Sequence, residues 1–229
     1  MGKRGPRRQY DLDQILDAAM VVVLDKGIDG LTVARLAKEL SAAPSALYRY
    51  APGGKEEILV GLQERAIDAL SEEMAQLAAL PTPGSLAKEA TALLRVLRVF
   101  TAYLRQRDAA PERHRLIDAF LSAPDPVLSE PHALAINQRL GAVLAVGTET
   151  LDDAVAVGAL TAGDSLQRAH VLWAGMHGLD HFYKRDRIQP ESLRVSTLQR
   201  VFCEVTLLGM GAPKLSLAGA LDALYQPHP

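Results

Sequence analysis

The sequence predicts an all-α protein, and three observations carry that prediction. Apolar residues recur at helical spacing along most of the 229 residues. Alanine and leucine dominate while aromatics reach only 5%, and no stretch alternates β-branched with polar residues as a half-buried strand does. Clusters such as Pro81-Thr82-Pro83-Gly84 break the pattern into helix-sized pieces. The length suffices for a small head and one larger helical domain, each with its own core. A single cysteine, Cys203, excludes an intramolecular disulfide framework and suits a reducing cytoplasm. No apolar run is long and charge-free enough to span a bilayer, and the N-terminus is basic rather than apolar, so no secretory signal is expected.

In chain order, Ile15, Ala18, Ala19, Val22 and Val23 give the first helix one apolar face. Asp11 or Asp13 can cap it, and Gly27 is expected to end it. After Asp29-Gly30, the stretch 31–40 reads as a second helix, with Thr32 as N-cap and Val33, Leu36, Ala37 and Leu40 on one face. Ser41 to Ala43 separate it from a third helix expected over 44–50. Two short helices joined by so tight a turn, braced by a longer one, predict a helix-turn-helix. A long helix is then expected from 54 to 79, another over about 85–107, and a short one delimited by Pro111 and Pro124-Asp125-Pro126. Pro131 can start the next, punctuated by Gly147, Gly158 and Gly163. Asp164 can cap a helix to about 185, Pro190 can begin one ending near Gly209, and Pro213 precedes a short leucine-rich helix.

The head also resembles the N-terminal domain of the tetracycline-repressor (TetR) family of transcriptional regulators. The resemblance rests on Gly27 followed by Leu31-Thr32-Val33, on Leu36-Ala37, on the run Ser45 to Tyr50, and on Lys55-Glu56-Glu57-Ile58-Leu59. It covers about fifty residues. Three departures stand out: Ser41 where the turn usually has glycine, Ala51 where an aromatic is usual, and one extra residue in Pro52-Gly53-Gly54. A shorter resemblance, Trp173 to His177-Gly178, links the C-terminal part to a subgroup with a Trp-x-x-x-His-Gly element.

The net charge of −2 conceals an uneven distribution. Lys3, Arg4, Arg7 and Arg8 occupy the first ten residues with no acidic group among them, and Arg35, Lys38, Arg49 and Lys55 follow in the head. Phosphate neutralisation depends on this local footprint rather than on the total. The arm is either a DNA contact through Arg4 and Arg7 or a solvated tail. If the third helix enters the major groove, it presents Ala43, Pro44, Ser45, Tyr48 and Arg49, with Leu47 turned inward. Arg49 is the side chain able to fork onto guanine, unless an internal ion pair takes it. Ser45 can donate or accept, and Ala43 and Pro44 suit thymine methyls. Thr32, Tyr48, Tyr50 and Lys55 suit phosphates. The resemblance implies that role for Tyr48 and Lys55, and packing against the fourth helix is the alternative for Tyr48 and Tyr50.

Farther on, Ala169, Ala174, Gly175 and Gly178 are small for a helix interior, where glycine costs roughly 1 kcal/mol against alanine. They let another helix approach closely. With Leu198, Val201, Phe202, Val205 and Leu208 on the next helix, Ala174, Gly178 and His181 are expected to form a homodimer interface, the alternative being an ordinary internal core. His177 and His181 have a spacing that supports two imidazole ligands, with His170 one heptad earlier. Yet there is no His-Glu-x-x-His sequence, and Asp180 would have to serve from another face, so no metal ligands are expected. No catalytic motif and no cofactor site are evident either. The resemblance implies a small-molecule effector, for which Phe100, Tyr103, Phe120, Trp173 and Met176, with Asn137 or His177 as polar handles, are the candidates.

The expectation is therefore a basic arm (1–10), a helix-turn-helix domain (11–56) and a helical ligand-binding and dimerisation bundle (57–229). The expected function is that of a cytoplasmic, homodimeric DNA-binding regulator released from a palindromic operator by a small molecule. The alternatives are a ligand-independent regulator and, more remotely, a metal-dependent enzyme using the His170/His177/His181 helix.

Overall fold

The computed structural model describes residues 10–122 and 128–225, the side chains of Phe120 and Ser122 excepted. The arm residues Arg4 and Arg7 lie outside the described residues. Those described form α-helices joined by turns, with no strand among them, as the sequence predicts. They make two compact units: the described parts of Met1–Ala66 with Arg115–Ile136, and Ile67–His114 with the described part of Asn137–Pro229.

In the first unit, α1 (Leu12–Gly30) starts at Asp11, whose carboxylate accepts from the Gln14 amide at 2.7 Å while the Gln14 side chain answers the Asp11 N–H. Gly27 interrupts it with φ +72°, so the break falls where the sequence places it even though helical turns resume to Gly30. In α2 (Val33–Glu39), Thr32 is the N-cap, accepting from the Arg35 amide at 3.1 Å. The turn that follows closes when the Ala42 N–H reaches the Ala37 carbonyl at 2.8 Å, which requires Ser41 to adopt φ +52°. The third helix, α3 (Pro44–Leu47), is shorter than the sequence predicts. The Tyr50 and Ala51 amides both turn back to the Leu47 carbonyl at 2.9 Å. Pro52 disfavours helical geometry at Ala51, so the turns after α3 do not go on as helix.

The next helix, α4 (Lys55–Ala79), packs on α1 through Gly61, where a Cβ would lie 3.0 Å from a Leu16 methyl. Arg65 ties the same two helices by donating to Asp17 at 2.9 Å and to Asp13. This unit also takes in the described part of Arg115–Ile136. One reason is Glu56, whose carboxylate accepts from the Ser129 amide at 2.5 Å and lies 3.0 Å from His132 Nδ1. Together these contacts hold Glu56 down to about 2, with the Ser129 and His132 hydrogen bonds the main causes.

The second unit is built around α5 (Lys88–Ala109), whose Leu93, Leu94, Leu97, Phe100 and Leu104 are all buried. Next come α6 (Pro111–Ser122) and α7 (Glu130–Ala156), which begin or end in the other unit, then α8 (Ser165–Asp180), α9 (Val195–Gly209) and α10 (Lys214–Tyr225). Helix α5 packs against α8 and α10, and α9 packs against both of these. Asp164 caps α8 by accepting from the Gln167 amide at 2.9 Å. Tyr183–Arg185, expected as the end of that helix, is instead a separate 3-10 turn, and another at Glu191–Leu193 precedes α9. Gly147 does not punctuate: α7 runs through it, and a Cβ there would meet the Phe100 ring at 2.6 Å. The glycine serves close packing. Arg98 is buried and donates to the carbonyls of Leu80 and Pro81 at 2.9 and 3.0 Å, satisfying groups left over at the end of α4.

Candidate nucleic-acid interface

The exposed end of α3 is set by one buried residue. Leu47 is its apolar anchor, and burying such a side chain stabilises by roughly 1.5–3 kcal/mol. With Leu47 inward, Ala43, Pro44, Ser45, Tyr48 and Arg49 are exposed, as the sequence predicts. Ser45 and Arg49 border an open hollow of about 340 Å³ completed by Tyr10, Ser41, Ala42, Ala43 and Ala46. Among the described residues no carboxylate pairs with Arg49, and its guanidinium lies 5.9 Å from the Tyr50 ring centroid. Tyr48 leans on the turn before α4: Gly54 has φ +65°, and a Cβ on it would meet the Tyr48 ring at 3.3 Å. The third helix is thereby placed beside Lys55, the first residue of α4. Thr32 uses its oxygen as a cap acceptor, which leaves its hydroxyl proton free to donate outward. Arg35 is occupied at the carbonyl of Gly30.

Tyr10 is the residue the sequence reading missed. Its hydroxyl donates to the Leu40 carbonyl at 2.8 Å, fixing the entry of the chain to the end of α2. Nothing local signals that contact, which spans thirty residues.

In the second unit, Phe100, Tyr103 and Trp173 line one apolar hollow with Leu70, Met74, Val99, Val143 and Leu144. It is narrow, about 10 Å³, the room of a single water. Met176 is fully buried outside that lining, and Asn137 is exposed, one step past the buried Ile136 on α7, so it is no handle for this hollow. The Phe120 side chain lies outside the described residues. His177 reaches the hollow's edge through a 2.8 Å hydrogen bond between its Nδ1 and the Tyr103 hydroxyl.

The histidine helix does not gather as one set. His170 Nδ1 donates to the Leu166 carbonyl at 2.8 Å. Asp180 turns away from the other two histidines, accepting from Arg107 at 2.8 Å and from His114 Nε2 at 2.7 Å. Burial alone would raise the Asp180 carboxyl, but these two partners outweigh it and hold it below the usual range.

On α8 and α9, Ala174, Gly178 and His181 are exposed, as are Val201 and Val205, the last at 66%. A Cβ on Gly178 would meet nothing within 4 Å, whereas one on Gly175 would strike the Phe202 ring at 2.1 Å. Gly175 and Phe202 thus serve packing within the chain. Leu198 and Leu208 are half-buried.

Residues 15–62 match the family model of bacterial regulatory proteins of the tetR family. The HTH-type transcriptional repressor DrrR1 of Streptomyces coeruleorubidus is 41% identical over 56 residues, 24% of this chain and only 20% of that relative's length. The fold resembles a tetR-family regulatory protein from Rhodococcus RHA1 (TM-score 0.62, 18% identity, 90% of this chain and all of that one). It also resembles FadR from Bacillus subtilis, solved with stearoyl-CoA (TM-score 0.65, 17% identity, 86% of this chain and 98% of that one). The head is therefore similar to the N-terminal domain of the tetR family, and the chain has the all-helical fold of solved regulators of that kind.

Proposed function

We propose that the chain is a cytoplasmic, homodimeric, sequence-specific DNA-binding repressor of the tetR type, released from a palindromic operator by a small molecule. The observation that carries the reading is the exposed end of α3, where Ser45 and Arg49, the latter with no carboxylate partner among the described residues, border one hollow beside the exposed Tyr48, within a segment matching the tetR family. Arg49 would read guanine, Ser45 either base partner, and Thr32, Tyr48, Tyr50 and Lys55 would hold phosphates. Arg4 and Arg7 would add contacts from the arm. Regulators of this family are transcription factors, so no reaction is assigned.

Homodimer formation is supported by exposed apolar and small residues that line up on α8 and α9: Val171, Ala174 and Gly178 with Val201 and Val205. Leu198, Leu208 and His181 would border the contact, with Phe202 behind it. Two heads then meet half-sites about one DNA turn apart, roughly 34 Å. An effector would enter between Phe100, Tyr103 and Trp173. A hollow of about 10 Å³ is far below the roughly 300–1,000 Å³ of ordinary ligand sites, so binding would have to select a wider state. A tilt of α4 would carry that change to the heads with a coupling of about 1–3 kcal/mol. The same narrowness favours a second reading, a regulator that needs no ligand.

Selection of bound sequences from random duplex DNA tests the reading. Enrichment of a palindrome binding two chains is expected, and weak salt-sensitive binding without enrichment would refute it. With the enriched duplex as probe, release by any compound that also raises the melting temperature would decide against the ligand-free alternative.

A further inference from the structure

The C-terminal end of α8 carries a histidine pair for which DNA binding has no use: His177 in its last turn and His181 as the C-cap. His177 and His181 are four residues apart, so one helical turn stacks them on one face. Their rings meet edge to face with centroids 4.9 Å apart, and the two Nε2 atoms face each other across 3.4 Å. That gap is long for an N–H hydrogen bond, which usually closes to about 3 Å. It is the spacing of two donors on one tetrahedral ion, since zinc–nitrogen bonds of roughly 2.0–2.1 Å put the nitrogens about 3.4 Å apart.

The far side of the His177 ring is also prepared. Its Nδ1 lies 2.8 Å from the Tyr103 hydroxyl, and with the proton on Nδ1, donated to the phenol oxygen, Nε2 presents its lone pair outward. Tyr103 is itself fixed, being buried with its ring 4.8 Å from that of His114 and 5.5 Å from that of His177. His181 is exposed, which gives an ion a path in and leaves room for water.

We propose that His177 and His181 bind a late first-row divalent cation, zinc foremost, through their Nε2 atoms, with water among the remaining ligands. Imidazole donors suit zinc, copper and nickel rather than magnesium or calcium. His170 and Asp180 take no part, being held at Leu166 and at Arg107 with His114. Because Tyr103 also lines the apolar hollow, a bound ion would stiffen one wall of it through a single hydrogen bond.

The test is titration of the EDTA-stripped full chain with zinc in competition with a chromogenic chelator. The wild type is expected to take one zinc per chain, and His181→Ala, at an exposed position that leaves the core intact, to lose at least tenfold in affinity. Tyr103→Phe, which removes the outer partner of His177, should lose about tenfold or more, while His170→Ala binds like the wild type. Cobalt should give ligand-field absorption in the wild type that His181→Ala lacks. Equal zinc affinity in wild type and His181→Ala, an equal loss in His170→Ala, or no uptake at all would overturn the proposal.

Discussion

Replacing Arg49 with alanine separates reading bases from holding phosphates. Arg49 is exposed at the rim of the hollow beside α3, and among the described residues no carboxylate neutralises it, so its full charge and fork of donors are available. A bidentate contact to guanine is worth roughly 1–3 kcal/mol of discrimination. A dimer on a palindrome makes the contact twice, so about 2–6 kcal/mol is at stake, and even the lower figure is about 30-fold in affinity. On non-cognate duplexes the loss should be much smaller. A phosphate contact behaves otherwise: all sequences weaken together, and the slope of log affinity against log salt falls by about 0.9 per head, or about 1.8 per dimer. The assay is anisotropy titration of the selected duplex and its single-base variants at three salt concentrations, with wild type and Arg49→Ala. The expected result is a flattened preference at one symmetric pair of positions with the slope nearly kept. Uniform weakening with a lowered slope, or no change, would refute the base-reading role.

Lys55→Ala should do the opposite, weakening every duplex and lowering the salt slope by about 1.8 per dimer, which the same titrations read. Val205→Arg places a charge on the most exposed apolar position of α9 and should shift sedimentation from dimer to monomer; an unchanged dimer would remove α9 from the interface. Ser41→Gly should stabilise the protein by a few tenths to about 1 kcal/mol in urea, because glycine relieves φ +52° but is freer when unfolded. Glu56 sits well below its ordinary 4.5, at about 2, so its contribution is complete above pH 4.5 and drains away as pH falls toward 2. Glu56→Gln should therefore flatten the acid limb of the stability curve in that window, and an unchanged limb would deny the Ser129–His132 contact its role.

The head was the most legible part because its signals are local. Asp11, Thr32 and Asp164 cap the helices they precede, and Gly27 breaks the helix it was expected to end. Leu47 had to point inward, and that alone exposes Ser45, Tyr48 and Arg49. The residues named for an effector do not all meet: Phe100, Tyr103 and Trp173 share a hollow, whereas Asn137 is exposed and Met176 lies outside that lining. Periodicity says that a residue lies on an apolar face. It does not say which neighbour that face meets.

The sequence by itself determined an all-helical chain with a helix-turn-helix at its start, since periodicity, caps and turn residues act over a few positions. Only the tertiary structure decided that Tyr10 holds Leu40, that Glu56 caps Ser129, that Asp180 belongs to His114 and Arg107, and that Gly147 makes room for Phe100. Each of these joins residues 30 or more positions apart. Such contacts depend on where the packed helices bring side chains in space, and a pattern that repeats every few residues carries no information about that distance.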